Sequence, residues 1–504
     1  MLKVYGESAN ANRFIPADTT RLEPLRTLAI MNRSTISLLF VLCLGWIHNA
    51  SGIERPNIIF VMADDMGWGQ TGYRNHPVLK TPNLDAMANN GLRFERFYAG
   101  GPVCSPTRAS MLTGRSHDRT GVLSHGYALR TQEKTIAQAL QKAGYTTGHF
   151  GKWHLNGHRG PGAPIFADDI RSPGKFGFDE WLSVSNFFDM NPILSRNGKF
   201  EEFQGDSSEI IVNEAVKFLD QHRKSNKPMF AVVWYGNPHS PFKALPQDKA
   251  EFPGLNEASS NHYGELVAMD RSIGTLRAKL REFGMEKNTL LVFCSDNGGL
   301  PNIEPDTVGG LRGHKGSVFE GGIRVPGIIE WPQTIRPRVT HYPACVMDLF
   351  PTVQEIVGLP DNAMNKPIDG ISLMPLFKSD LTERNAPIGF RYAAKRAMVG
   401  DRYKILTEKI DAGKFQLYDI VNDPNEVEEL SLKEPTIFEK LKKQLLDWDA
   451  SVESSFQGKD YAEGVVTPSD PEPINWYDAP QYQPYLEQWK NRWEYAGFLK
   501  RAKK

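Results

Sequence analysis

"RPNIIFVMADDMGWG", residues 55–69, decides the fold. Ile58 to Ala63 is a continuous apolar run that reads as a buried strand, and it ends in Asp64 and Asp65, followed by glycines. Three later stretches repeat the pattern. "AGYTTGHFGKWHLN" predicts a strand near Tyr145–Phe150 that delivers Lys152 and His154. "KPMFAVVWYGNPHSPF" predicts a strand over Met229–Tyr235 that delivers His239. "NTLLVFCSDNGG" predicts a strand over Leu290–Cys294 that delivers Asp296 and Asn297. Unbroken apolar runs of this kind suit strands covered on both faces, as in a parallel sheet.

Helical patterns lie between these strands. "TQEKTIAQALQKAG" puts Ile136, Ala139, Leu140 and Ala143 on one face and stops at Gly144. "SSEIIVNEAVKFLDQH" and "YGELVAMDRSIGTLRAKLREFG" behave alike. Alternating strand and helix predicts an α/β fold with a large, mostly parallel central sheet flanked by helices. Ligands of such sheets bind beyond the C-terminal strand ends, and four strand ends here carry polar or charged residues. That convergence says more than any one motif. After about Phe377 the texture changes to short antiparallel strands and the amphipathic helix "EPTIFEKLKKQLLDWDAS", so residues 380–455 read as a small α+β subdomain. The tail, 456–504, is rich in Trp and Tyr and reads as packed back over the main domain.

The chain has 504 residues, 40% hydrophobic and 23% charged, with Lys+Arg and Asp+Glu equal at 59. That is ordinary globular usage with no net field, and no basic stripe points to nucleic acid or acidic lipid. The strongly apolar segment is "MNRSTISLLFVLCLGWIHNASG", residues 31–52. A basic head at Arg33, an apolar stretch from Ile36 to Trp46 and the small residues Ala50, Ser51 and Gly52 make it a signal peptide, too short for a comfortable membrane span. The mature chain is then expected to begin between Ser51 and Ile53, secreted or periplasmic, with no stable membrane span. Residues 1–30 precede the signal and read as a non-native or disordered extension, with Met31 as the natural start. Signal removal takes Cys43, leaving Cys104, Cys294 and Cys345, an odd number, so at least one has no intrachain partner.

Asp64, Asp65, Asp296 and Asn297 offer four hard oxygen side chains on strand ends, a set suited to Ca²⁺ or Mg²⁺. Either pair alone would read as turn or capping residues. "GPVCSPTRASMLTGR", 101–115, places Cys104 just before a predicted helix, with Pro106 in its first turn and Arg108 close by. A thiol there is expected to be acidified, the alternative being a buried structural cysteine or half a disulfide. Arg108, Lys152 and Lys315 around a metal would make a compact positive pocket for a sulfuryl or phosphoryl group, with His154 and His239 to move protons. Lys315 lies in the glycine-rich "GHKGSVFEGG".

These stretches resemble the type I, formylglycine-dependent sulfatases of the alkaline phosphatase superfamily. "CSPTRASMLTGR" resembles their signature, Cys-x-Pro-Ser/Thr-Arg followed by Thr-Gly-Arg. "ADDMGWG", "GKWHL", "PHSPF", "SDNGG" and "GHKGSVFEGGIRVP" resemble further family blocks in the family order, and "LYDIVNDPNEVEEL" resembles the C-terminal subdomain. The likeness spans roughly residues 55–450 and makes 53–379 the catalytic domain.

The resemblance implies that Cys104 is converted to formylglycine (3-oxoalanine) by a formylglycine-generating or anaerobic sulfatase-maturating enzyme. The hydrated aldehyde would attack sulfur, release the alcohol and then expel sulfate. Asp64, Asp65, Asp296 and Asn297 would hold Ca²⁺, in preference to Mg²⁺. Arg108 would hold the hydrated aldehyde, Lys152 and Lys315 would bind sulfate oxygens, His239 and Lys315 would serve the leaving alcohol, and His154 would take the diol proton. The family's serine near the nucleophile is matched by either Ser183 or Ser185. The expected substrate is a sulfated carbohydrate, on which Trp68, Trp153 or Trp181 could stack, although core packing is the default for each. The rivals are an arylsulfatase of small aryl sulfates, a formylglycine-dependent phosphonate or phosphodiester hydrolase, and an inactive binding protein. Di-zinc relatives carry Asp-His where this chain has Asp296-Asn297, and Asn is a poor zinc ligand.

Overall fold

A computed structural model describes residues 55–502. The opening apolar run forms the strand Asn57–Ala63, in the middle of an eleven-stranded sheet. The strand order is Arg338–Thr340, Leu92–Tyr98, Arg324–Glu330, Thr289–Ser295, Asn57–Ala63, Met229–Trp234, Thr146–Lys152, Glu180–Val184, Ile193–Arg196 and Lys199–Glu202, and Ala344–Cys345 also pairs with Leu92–Tyr98.

The four strands singled out in the sequence are neighbours, all parallel. Their ends are level: Ala63 pairs with Ser295, Met62 with Trp234, and Trp234 with Gly151. The predicted Tyr145–Phe150 strand runs two residues further, to Lys152, which is therefore its last residue. Arg324–Glu330 runs antiparallel, so the loop before it opens at the same sheet edge. Leu92–Tyr98 is antiparallel to that strand in turn, and its exit sends the chain towards Cys104 at the same edge. Topology alone thus gathers the strand-end residues, Cys104 and Lys315.

Side chains alternate between two cores. Ile58, Phe60 and Met62 join one, with Leu112 of the helix Cys104–Thr113, Leu140 of Ile136–Lys142 and Phe350 of Leu349–Val357. Ile59, Val61 and Ala63 join the other, with Met87 of Pro82–Asn90, Ile211 of Ser207–His222 and Met269 of Glu257–Glu282. Burying a side chain of this size contributes roughly 1.5–3 kcal/mol. A central strand covered on both faces is the steadiest platform the fold offers.

The strands Ile388–Tyr392, Lys395–Val399, Tyr403–Thr407 and Gln416–Asp419 form a separate antiparallel sheet. The helix Pro435–Phe456 covers one face through Leu441 and Leu445. On the other face Ile388, Phe390 and Leu406 pack with Tyr98, Ile323 and Met347. Beyond this unit, Trp476, Tyr482, Trp489 and Tyr495 form an aromatic cluster on Ala163 and Ile193. The signal-like segment 31–52, the extension 1–30 and Cys43 lie outside the described residues. Among the described residues no helix is long and apolar enough to cross a membrane. Cys104, Cys294 and Cys345 are all buried and free.

Candidate active site

Asp64 and Asp65 follow the central strand, and Asp296 and Asn297 follow its parallel neighbour. All four are fully buried. Asp65 adopts the left-handed region at φ 70°, which a non-glycine residue keeps only when its surroundings hold it there. Its N–H donates to Asp296 Oδ1 at 3.1 Å, and Asn297 Nδ2 donates to Asp65 Oδ1 at 2.8 Å.

Cys104 is the first residue of the helix Cys104–Thr113, every residue of which is buried. The entering chain lies against that helix: Thr107 Oγ1 accepts the N–H groups of Gly100 and Gly101, each at 3.1 Å. A Cβ on Gly100 would stand 2.4 Å from Ser110 Cβ, so glycine is needed for this approach. The Cys104 thiol lies 3.3 Å from Asp64 Oδ1. The expected acidification of the thiol is not found. Burial, reinforced by Asp64, pushes it well above the usual thiol range, and the nearby cations do not outweigh that.

The three cations are each tied to the carboxylates. Arg108 donates to Asp296 Oδ2 at 2.8 Å and to the Lys152 carbonyl at 3.0 Å, and its guanidinium lies over the Trp234 ring. Lys152 Nζ donates to Asp64 Oδ2 at 2.5 Å. Lys315 Nζ reaches both Asp65 oxygens, at 2.7 and 2.8 Å. His239 Nε2 stands 3.7 Å from Asp65 Oδ2. Its Nδ1 lies 2.5 Å from the Ser240 carbonyl, which can only accept, so Nδ1 carries a proton and Nε2 faces the pocket. His154 is buried in the left-handed region at φ 56°, and neither ring nitrogen has a partner.

Burial and the opposing charges set the protonation states. Burial alone would raise Asp65, but Lys315 and His239 hold it well below the usual carboxylate range. Asp296 is pushed up to about 7 by burial and by Asp64. Burial and Lys315 push His239 down to about 3. Burial and Lys152 push His154 well below the usual imidazole value. Lys315 stays charged because Asp65 offsets its burial.

The residues fit a hard divalent cation. Ligand atoms of Asp64, Asp65, Cys104 and His239 all lie within 4.8 Å of one another; the expected ligand Asp296 is not in this group, its oxygens accepting from Arg108 and the Asp65 N–H. Asn297 Oδ1 is buried without a hydrogen-bond partner. A set rich in carboxylate and amide oxygen suits Ca²⁺ or Mg²⁺ better than zinc.

Neither candidate serine is shown beside the thiol: Ser183 Oγ pairs with His149 Nδ1 at 2.7 Å, and Ser185 Oγ accepts the Ala163 N–H at 2.8 Å. Trp153 and Trp181 belong to the core, and the Trp68 ring lies 4.0 and 4.5 Å from the guanidinium groups of Arg74 and Arg324. Two residues not singled out in the sequence belong here. His125 is solvent-accessible, and partial desolvation, followed by the charges of Arg159, Lys315 and Lys152, lowers its basicity. Phe187 stacks face to face on His239, with ring centroids 4.6 Å apart and planes within 8°. His125 lies in no strand-end motif, and Phe187 follows the parallel strand Glu180–Val184, which is not singled out in the sequence.

Residues 56–359 match the family model described as Sulfatase, and residues 314–451 match that of N-sulphoglucosamine sulphohydrolase, C-terminal. The chain is 32% identical over 392 residues to the N-acetylgalactosamine-6-sulfatase of Canis lupus familiaris, covering 69% of this chain and 71% of that protein. It is 32% identical over 362 residues to arylsulfatase A of Homo sapiens, covering 64% and 67%. Among solved structures, Ps i-CgsB in complex with k-i-k-neocarrahexaose is similar at a TM-score of 0.70 and 26% identity, covering 87% of this chain and 99% of that one.

Proposed function

The chain belongs to the sulfatase family, whose members are sulfuric ester hydrolases, and from that premise we propose that it desulfates a sulfated carbohydrate at the site around residue 104. The observation that carries the reading is the buried convergence of Arg108, Lys152 and Lys315 on the carboxylates beside Cys104. A relative named for a sulfated amino sugar and a neighbour solved with a carrahexaose support the carbohydrate class.

Cys104 stands in the modification signature, and its conversion to formylglycine would supply a hydrated aldehyde as oxygen nucleophile with its own release step. Ca²⁺ held by Asp64, Asp65, Asp296 and Asn297 would supply positive charge to the sulfate and the nucleophile. The chain's own residues do the rest. Arg108, fixed between Asp296 and the Lys152 carbonyl, holds the substituent on residue 104 in place. Lys152 and Lys315 face the sulfate oxygens and offset the charge that grows on them. His239 presents Nε2 to the leaving oxygen. Burial and the Lys315 charge keep it neutral with Nε2 bare, so to protonate that oxygen it must first take up a proton, as a sulfate anion entering beside Lys315 offsets that charge. His154, neutral and with both nitrogens free of partners, accepts the proton released when sulfate departs. Maturation by a formylglycine-generating or anaerobic sulfatase-maturating enzyme, and export through the 31–52 segment, complete the proposal.

Sulfate release from a panel of defined sulfated oligosaccharides tests it, together with the peptide mass of residue 104. The aldehyde or its hydrate is expected in active enzyme, and Cys104→Ala should lower turnover by roughly 10⁵–10⁶-fold, as for other lost nucleophiles. Full activity with an unmodified thiol would overturn the mechanism. Rapid hydrolysis of aryl sulfates with no release from any glycan would replace the substrate class.

A further inference from the structure

The aromatic C-terminal tail reaches the catalytic pocket through one side chain. Phe187 is buried, and its ring lies flat on His239. On Phe187 rests Phe498 of the C-terminal helix Trp493–Ala502, with centroids 6.4 Å apart. The segment carrying Phe187 is fastened by the same part of the chain: Arg492 donates to the Asn191 carbonyl at 2.5 Å. Tyr495 Oη donates to the Gly162 carbonyl at 2.6 Å, and Gly162 N–H in turn donates to the Phe187 carbonyl at 2.9 Å.

His239 needs such a support. Its hydrogen bond to the Ser240 carbonyl restrains the ring at one edge, while Nε2 stands 3.7 Å from Asp65 Oδ2, beyond hydrogen-bond distance. A flat aromatic neighbour supplies a further restraint, because tilting the imidazole would give up its parallel contact with the Phe187 ring. Proton delivery tolerates little error in angle or distance, so a ring that swings delivers poorly.

We propose that Phe187 is a positioning residue for leaving-group protonation, and that the C-terminal helix holds it in place through Phe498. This rests on His239 serving the leaving group. Its mark is selective: a basic leaving group needs the proton, whereas a nitrophenolate scarcely does.

The test uses the full-length matured enzyme with 4-nitrophenyl sulfate and phenyl sulfate. Phe187→Ala should lower kcat on phenyl sulfate by about 10- to 100-fold, a substantial part of what a general acid contributes, with KM little changed. On 4-nitrophenyl sulfate the loss should stay within about threefold. Phe498→Ala, at the half-buried outer face, should show a weaker form of the same split, and Phe187→Tyr should restore the wild-type ratio. Equal losses on both esters, or a change in KM alone, would overturn the inference. So would a crystal structure of Phe187→Ala with the imidazole still in its original plane. His239→Ala separates the two failures. If it loses both esters equally, the assigned role of His239 falls; if it discriminates and Phe187→Ala does not, only the present inference falls.

Discussion

Asp64, Asp65, Asp296 and Asn297 leave directly from adjacent parallel strands, whereas Lys315 and His239 sit on loops supported from the last quarter of the chain. The first group is fully buried, and backbone pairing fixes its level. Lys315 and His239 keep about a fifth and a sixth of their side chains exposed. The Lys315 loop is tied by Gly316 N–H to the Pro102 carbonyl at 2.8 Å, and by Lys395 to the Gly316 carbonyl at 2.7 Å. Arg312 adds donations to Tyr418 Oη at 3.2 Å and to the Glu426 carbonyl at 2.9 Å. His239 depends on Phe187 and the tail. In the proposed mechanism the cation ligands and Lys152 stand at strand ends, whereas Lys315, for the sulfate, and His239, for the leaving alcohol, stand on supported loops. The small antiparallel sheet and the tail are therefore buttresses of the site as well as additions to the fold.

If that contrast is real, changes on the sheet side should be the more costly. Asp296→Ala removes a proposed cation ligand and the partner of Arg108 together. The expected loss in kcat is roughly 10³-fold or more, the several kcal/mol that a bound cation contributes, accompanied by loss of metal in elemental analysis. Two zinc ions per wild-type chain would break this side of the comparison. Lys315→Ala removes one cationic contact from a partly open loop and leaves Asp65 paired with Asn297 and available to the proposed cation. Its cost should be roughly 10²-fold, as for one oxyanion donor, with metal content unchanged. Metal loss equal to that of Asp296→Ala would show that the loop side is as integral as the sheet side.

The sequence made the sheet side readable because each ligand pair follows an unbroken apolar run, a signal that needs no tertiary information. The loop side was readable in part. The histidine after "YGNP" and the lysine among glycines are visible, but what holds them is not: Phe187 and Phe498 are more than three hundred residues apart and share no pattern. The expectation of an acidified Cys104 failed for a related reason. A helix start and an arginine are local features, whereas the burial that raises the thiol comes from the whole sheet edge. The serine position stayed unresolved because Ser183 and Ser185 differ only in which tertiary partner each meets.

The smallest effect should come from the buttress itself. Lys404 Nζ is buried between Glu320 Oε1 at 3.0 Å and Glu426 Oε1 at 2.8 Å, and Glu426 Oε2 accepts the Glu320 N–H at 2.7 Å. This cluster joins the small sheet to the loop that carries Lys315. Glu426→Gln keeps the side-chain shape and an acceptor for the Glu320 N–H, and leaves Lys404 paired with Glu320. It should therefore cost about 1–3 kcal/mol of stability, read as a lowered thermal midpoint, because the amide has one acceptor where the carboxylate has two and the contact to Lys404 is lost. The Lys315 loop should loosen only slightly, so KM for sulfate esters should rise by about two- to fivefold, less than about 1 kcal/mol of binding, with kcat nearly unchanged. Lower stability with unaltered KM would show that the contacts to Pro102 and Gly299 alone hold Lys315, and that the small sheet supports the fold but not the site. A fall in kcat comparable to that of Lys315→Ala would show the reverse: the loop has no rigidity of its own and borrows all of it from the buried cluster.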